Sequence, residues 1–205
     1  MQIDAGEFSH WLDDFVTTMK GKGQGNVPCG DCTGCCTSSK FILIRPNDIG
    51  AREVIPHDLL FSAPGLPAGY QLMGYDEQGH CPMFKHGQCS IYMERPETCR
   101  QYDCRVMAAT QANTEVESTI IQQRIKTWEF RYQENDSQLK ANAVLKAMTF
   151  IKQHELLFPM NYLPSMESQR AALAIRIHSL FLQPRNTWPS VSEFIKNIVS
   201  QYPTS

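Results

Sequence analysis

The chain has 205 residues, 42% of them hydrophobic and 20% charged, an ordinary balance for a folded globular chain and one that excludes disordered and fibrous proteins. No apolar run approaches the roughly 20 residues of a membrane-spanning helix. The formal net charge of −2 argues against a nucleic-acid or anionic-membrane surface.

Cysteine is the departure from average. There are eight, all between Cys29 and Cys104, and the last 101 residues contain none. Met1-Gln2-Ile3-Asp4 opens a polar segment with neither a basic n-region nor an apolar h-region. That predicts a cytoplasmic chain. Stable disulfides are rare in a reducing cytosol, so clustered cysteines there read as metal ligands or redox thiols. Inert core thiols pack like small hydrophobes and would not bunch into one stretch.

In chain order, residues 6–20 predict an amphipathic helix. Phe8, Trp11, Leu12, Phe15, Val16 and Met19 make one apolar stripe. Gly21-Lys22-Gly23-Gln24-Gly25 ends it. Phe41-Ile42-Leu43-Ile44 predicts a buried strand, and Arg45-Pro46-Asn47-Asp48 opens a two-turn helix that stops by Pro56. The Pro- and Gly-rich residues 56–80 predict loop. His80–Phe84 and Cys89–Tyr92 flank a turn and predict a hairpin. The remainder to Cys104 reads as short and irregular.

The charge balance changes near this point. Residues 1–105 hold 9 basic and 13 acidic side chains, and residues 106–205 hold 10 and 8. Trp128, Phe130 and Tyr132 alternate with Glu129 and Arg131, which predicts a strand over 126–133. A rival helix begins at Thr114, with Glu117 completing a capping box. The two coexist if the helix ends near Ile121. Three helices follow: Ser137 to His154, one from near Ser165 carrying Leu173, Ile177, Leu180 and Phe181 on one face, and one capped by Ser190 and Glu193. In the last, Val191, Phe194, Ile195, Ile198 and Val199 form a buried stripe. The fold class expected is α+β, a single domain over 1–205. Within it, a cysteine-cluster region of short strands and loops (29–104) precedes a mainly helical part (105–205).

The first cluster is Cys29-x2-Cys32-x2-Cys35-Cys36. Two intervening residues let the backbone turn so that successive sulfurs converge, as in zinc knuckles and ferredoxin-type clusters. Cys35 and Cys36 are adjacent and point different ways, and either one can be the ligand. The second set is Cys81, Cys89, Cys99 and Cys104, at spacings too loose to name a metal alone. Together they give eight candidate thiol ligands: Cys29, Cys32, Cys35, Cys36, Cys81, Cys89, Cys99 and Cys104. They leave room for one or two centres.

The order C-x2-C-x2-C-C, then Cys81-Pro82-hydrophobic-aromatic, then Cys89-x-Ile91-Tyr92-x2-Arg95-Pro96-x2-Cys99-Arg100-x-Tyr102-x-Cys104 resembles the CxxCxxCC, or YkgJ-type, cysteine-cluster family. The resemblance covers about residues 29–104 and implies a zinc- or iron-chelating domain. It implies the eight cysteines as metal ligands and Zn2+ or an iron–sulfur cluster as cofactor. Relatives in that family include flagellin lysine N-methylases, which implies an alternative role as a metal-dependent enzyme of methyl transfer or redox chemistry. Gly21-Lys22-Gly23-Gln24-Gly25 follows a helix rather than a strand, so it is not a dinucleotide loop.

The neighbouring side chains each carry two readings. His80 and His86 are zinc ligands or, as the commoner case, turn residues. Arg95 and Arg100 hold an anionic substrate bidentately, or neutralise cysteinates and pin Asp103 and Glu97. Tyr92 and Tyr102 donate behind the ligands or, the favoured reading, pack in the core. Met73, Met83, Met93 and Met107 lack periodicity and read as filler. Eight bare thiolates would repel one another strongly, so a metal-binding role leads. The metal ion is the expected partner, and a protein partner fits the helical surface. The acidic cysteine region speaks against a zinc-ribbon nucleic-acid binder.

Overall fold

Alternation, capping and turn chemistry divide the chain into seven short strands and eight α-helices among the residues the structure describes. The computed structural model describes residues 2–23, 25, 27–115, 117–184 and 188–202. Gln24 of the glycine-rich stretch lies outside them. In chain order the elements are β1 (Ile3–Glu7), α1 (Phe8–Met19), β2 (Ile42–Ile44), α2 (Ile49–Val54), β3 (Leu60–Ser62), β4 (Gln71–Met73), β5 (Phe84–Lys85) and β6 (Gln88–Cys89). There follow α3 (Glu97–Gln101), α4 (Arg105–Thr110), α5 (Thr119–Thr127), β7 (Trp128–Arg131), α6 (Ser137–Gln153), α7 (Glu167–Ile177) and α8 (Val191–Gln201). The protein is α+β.

The chain divides into two compact units. The helical unit comprises residues 1–21, 104–116 and 125–205, and the cysteine unit residues 22–103 and 117–124.

In the helical unit, β1 pairs in parallel with β7, with an irregularity between Asp4 and Gly6. Gly6 takes φ +97 there, a conformation glycine adopts at no steric cost. The Ala5 carbonyl accepts a bond from the buried Arg105 guanidinium at 3.1 Å. Glu7 then joins sheet to helix. Its carboxylate accepts the Gln133 and Glu134 amides at 2.9 and 3.3 Å, and the Ser137 hydroxyl. The segment leading into α6 and the hydroxyl of its first residue are thus tied to Glu7, a residue distant in sequence. Helices α6 and α7 pack on each other, and Ala143 and Ala147 of α6 and Ala171 and Ala174 of α7 are fully buried. Phe150, Phe181 and Phe194 meet edge to face at 5.1 to 5.5 Å.

The expected elements are present with shifted ends. The helix expected over 6–20 begins at Phe8 because residues 3–7 are drawn into β1. The helix expected from Thr114 begins at Thr119 and runs to Thr127, and β7 follows directly. The helices expected from Ser137, near Ser165 and at Ser190 are α6, α7 and α8. Ser190 Oγ accepts the Glu193 amide at 3.3 Å, and Val191 of the expected buried stripe is 38% exposed.

In the cysteine unit, β2, β4 and β3 form an antiparallel sheet in that order. The loop expected over 56–80 therefore contains two strands. Its core is small: Ile44, Ala51, Ile55, Met73 and Met83, with Ile42, Leu59, Leu60, Cys81 and Ile91 packed against it. The expected hairpin is β5–β6, turning at His86 and Gly87, both at positive φ. That is the twist a two-residue hairpin needs.

Candidate metal centre

The first cluster is built by tight turns. The Cys32 amide donates to the Cys29 carbonyl at 3.0 Å and the Cys36 amide to the Thr33 carbonyl at 2.9 Å. Gly30 sits at φ +57 in the first turn. Gly34 has a different reason to be small. A Cβ there would lie 3.0 Å from Ile121 and 3.3 Å from Ile120 of α5, so any side chain requires those isoleucines to give by a few tenths of an ångström.

Three further links carry the later cysteines to the same place. The Cys81 amide donates to the Cys36 carbonyl at 2.7 Å, joining the two clusters directly. Cys89 ends β6, opposite Phe84 of β5. Cys99 lies on α3, which Asp48 anchors. The buried Asp48 carboxylate accepts the Arg45 amide at 2.8 Å and the Glu97 amide at 2.7 Å, and faces Arg100 at 3.5 Å. Arg45 closes on Glu97 at 2.5 Å. Asp48 was legible only as the start of a helix. Its tertiary role leaves no local pattern.

Seven cysteines, Cys29, Cys32, Cys35, Cys36, Cys81, Cys89 and Cys99, line one cavity of about 420 Å³ within the cysteine unit. Cys104 belongs to the helical unit, buried, with its sulfur accepting the Trp128 indole N–H at 3.1 Å. All eight cysteines are thiols. Among the described residues, no group of three or more His, Cys, Asp or Glu is arranged closely enough to hold a metal ion. The convergence is that of a thiol-lined cavity.

Burial dominates the electrostatics. It raises the Cys36 thiol to about 11, with Cys89, Cys81 and Cys29 adding to the rise. It raises Cys99 to about 12, helped by Cys81, Cys36 and Cys89. Cys29 is raised by burial and then by Cys32 and Asp103. Cys81 is raised by burial and Cys89, against the amides of Met83 and Phe84. The Arg95 charge pulls Cys29, Cys36 and Cys99 the other way. Burial alone would lower Arg124, but bonds to the Cys32 sulfur and the Asp31 carboxylate hold its charge.

The remaining expectations divide. Neither His80 nor His86 lines the cavity. His80 meets Phe84 edge-on at 5.6 Å, and His86 is exposed in its turn. Arg100 pins Asp48, not Asp103 or Glu97. Tyr92 is 48% exposed rather than in the core, beneath the Arg95 guanidinium. Lys40 stands 5.5 Å above the half-buried Tyr102 ring and pairs with Glu117 at 2.5 Å, so Glu117 serves as an ion-pair partner.

The donor chemistry fits a thiophilic metal. Soft thiolates suit zinc and iron–sulfur clusters alike, and seven cysteines line one space together with Arg95 and Arg100. These features define a cysteine-cluster α+β protein. Residues 28–125, just under half of the chain, match the family model CxxCxxCC, described as "Putative zinc- or iron-chelating domain". Its matched range ends one residue beyond the last segment of the cysteine unit, residues 117–124. No curated protein and no solved structure matches the chain.

Proposed function

We propose that the protein binds zinc or an iron–sulfur cluster through the thiols of its cysteine unit. The observation that carries this reading is the convergence of Cys29, Cys32, Cys35, Cys36, Cys81, Cys89 and Cys99 on one cavity. The family match supports the same chemistry. Bound metal would displace the thiol protons and neutralise the thiolates that would otherwise repel one another. A structural zinc contributes on the order of 10–16 kcal/mol in small metal domains, ample for a unit whose core is as small as this one. Cys104 is assigned to packing against Trp128 rather than to ligation. A reducing, cytoplasmic setting belongs to the reading, because oxidation would consume the ligands.

The test is elemental analysis with visible absorption on anaerobically purified protein. Iron with sulfide and a brown colour identifies a cluster, and zinc without colour identifies a zinc site. Serine at Cys29, Cys36, Cys81, Cys89 or Cys99 should cut metal content at least by half, whereas Cys104→Ser should leave it unchanged. Metal-free protein under both anaerobic and zinc-supplemented conditions would refute the proposal. Loss of metal in Cys104→Ser would return that thiol to the ligand set.

A second reading is favoured by the size of the cavity. Structural metal sites are closed, whereas catalytic ones keep an open position, and about 420 Å³ is more than a closed thiolate cage uses. The open space supports a metal-dependent enzyme of methyl-transfer or redox type. Turnover of a substrate that depends on the metal would favour it over a structural role.

A further inference from the structure

Three cations line the thiol cavity: Lys40, Arg95 and Arg100. Two are committed elsewhere. Lys40 pairs with Glu117 at 2.5 Å. Arg100 faces Asp48 at 3.5 Å and donates to the Arg95 carbonyl. Arg95 is held differently. Its Nε donates to the Tyr92 carbonyl at 2.8 Å, and its guanidinium carbon lies 3.6 Å from the centre of the Tyr92 ring.

Those two contacts fix the plane of the guanidinium. They leave its terminal amino groups with no carboxylate among the described residues. A half-buried cation costs free energy unless an anion meets it. The guanidinium fork matches a planar carboxylate bidentately, and a ring beneath it reduces the freedom lost on binding. The wall around it is apolar, with Ile42, Met73, Met83, Phe84 and Ile91 facing the same space. A volume of about 420 Å³ lies in the range of small-molecule sites.

We infer that this cavity binds a small carboxylate with an apolar body, its carboxylate held bidentately by Arg95 and its body against the Ile42, Met83 and Ile91 wall. The inference deepens the use of the same cavity but rests on Arg95 and the apolar wall, not on the metal.

The test is calorimetric titration of the full-length, as-purified protein with benzoate, and with benzamide as a neutral probe of matching shape. Metal content is measured on the same sample. Saturable benzoate binding is expected, with benzamide at least tenfold weaker. Arg95→Gln should weaken benzoate at least tenfold. Arg95→Lys, which keeps the charge but not the fork, should lie between, with far-UV circular dichroism unchanged in both. Equal binding of the two probes, no saturable heat for benzoate, or full binding by Arg95→Gln overturns the inference. If benzoate gives no heat and Arg95→Gln loses metal, Arg95 is instead the counter-charge of the thiolates, and the inference is wrong. A wild type that stays metal-free under both anaerobic and zinc-supplemented conditions yet binds benzoate through Arg95 refutes the metal reading and leaves this inference standing.

Discussion

At the level of single residues, thiol acidity sets the terms on which the proposed metal would load. Burial raises Cys36 to about 11 and Cys99 to about 12, from an ordinary value of 9.0. At neutral pH these groups are protonated, so loading must release protons and weaken as pH falls. The same shifts make a prediction for the metal-free chain. A thiol whose folded pKa lies above its unfolded value stabilises the fold fully below the unfolded value and loses that contribution as pH rises through the folded one. Chelated, reduced protein should therefore lose stability between about pH 9 and pH 12. Urea titrations at pH 8, 10 and 11 should show a falling midpoint, with a smaller fall in Cys99→Ala. A midpoint that holds or rises over that range would show that burial does not set these thiols. The thiols were legible because Cys-x2-Cys-x2-Cys-Cys is dense and local. Arg95 and Arg100 were legible only as a pair with two readings each, and Asp48 only as a helix start. One guanidinium faces the sulfurs and the other a carboxylate, and only tertiary contacts between distant segments separate them.

Among the elements, the amphipathic helices and the strands β2, β5, β6 and β7 were readable, and β1, β3 and β4 were not. An apolar stripe identifies α1, α7 and α8 without tertiary help. Strands β1, β3 and β4, of three to five residues, hold too few alternations to register, and β3 and β4 lie in a segment rich in proline and glycine. Their pairing with β2 is a tertiary fact. Two substitutions test the elements. Gly34→Ala should force Ile120 and Ile121 of α5 away from the cysteine turn, since the new Cβ would lie 3.0 to 3.3 Å from them. Overpacking of this kind costs about 1–3 kcal/mol. A reduced urea midpoint together with reduced metal content is expected, and an unchanged metal content would separate α5 from the site. In the helical unit, Phe181→Ala removes a fully buried ring that meets Phe150, Trp188 and Phe194. Such truncations cost about 3–5 kcal/mol. Thermal melting should report that loss with metal content unaltered.

For the whole molecule, the charge and cysteine break near residue 104 coincides with a boundary between the two units, which falls between Asp103 and Cys104. The return of residues 117–124 to the cysteine unit was hidden from the sequence. Ile121 reads as any helical apolar residue until its neighbour, Gly34, is known. The two units differ in what stabilises them. The helical unit buries Phe8, Leu12, Val144, Ile151, Ile175, Ile177, Phe181 and Ile198 almost completely. The cysteine unit has a core of five buried residues, two of them methionine and one alanine. Burial contributes about 25 cal/mol per Å² of apolar surface, so the first unit can hold itself and the second leans on its thiols. Removing the metal should open the units unequally, as local stability differs across a structure. Limited proteolysis of the full chain before and after chelation, read by mass spectrometry, gives the comparison. Cleavage within residues 27–103 should accelerate at least tenfold on chelation, while residues 137–184 and 188–201 stay protected. Serine at Cys36 or Cys99 should reproduce that pattern without chelator. Equal acceleration in both units would mean that they unfold together. Unchanged protection of residues 27–103 after complete metal removal would show that the cysteines are not a folding element, and a redox role for the thiols would then account for their density better than a structural one.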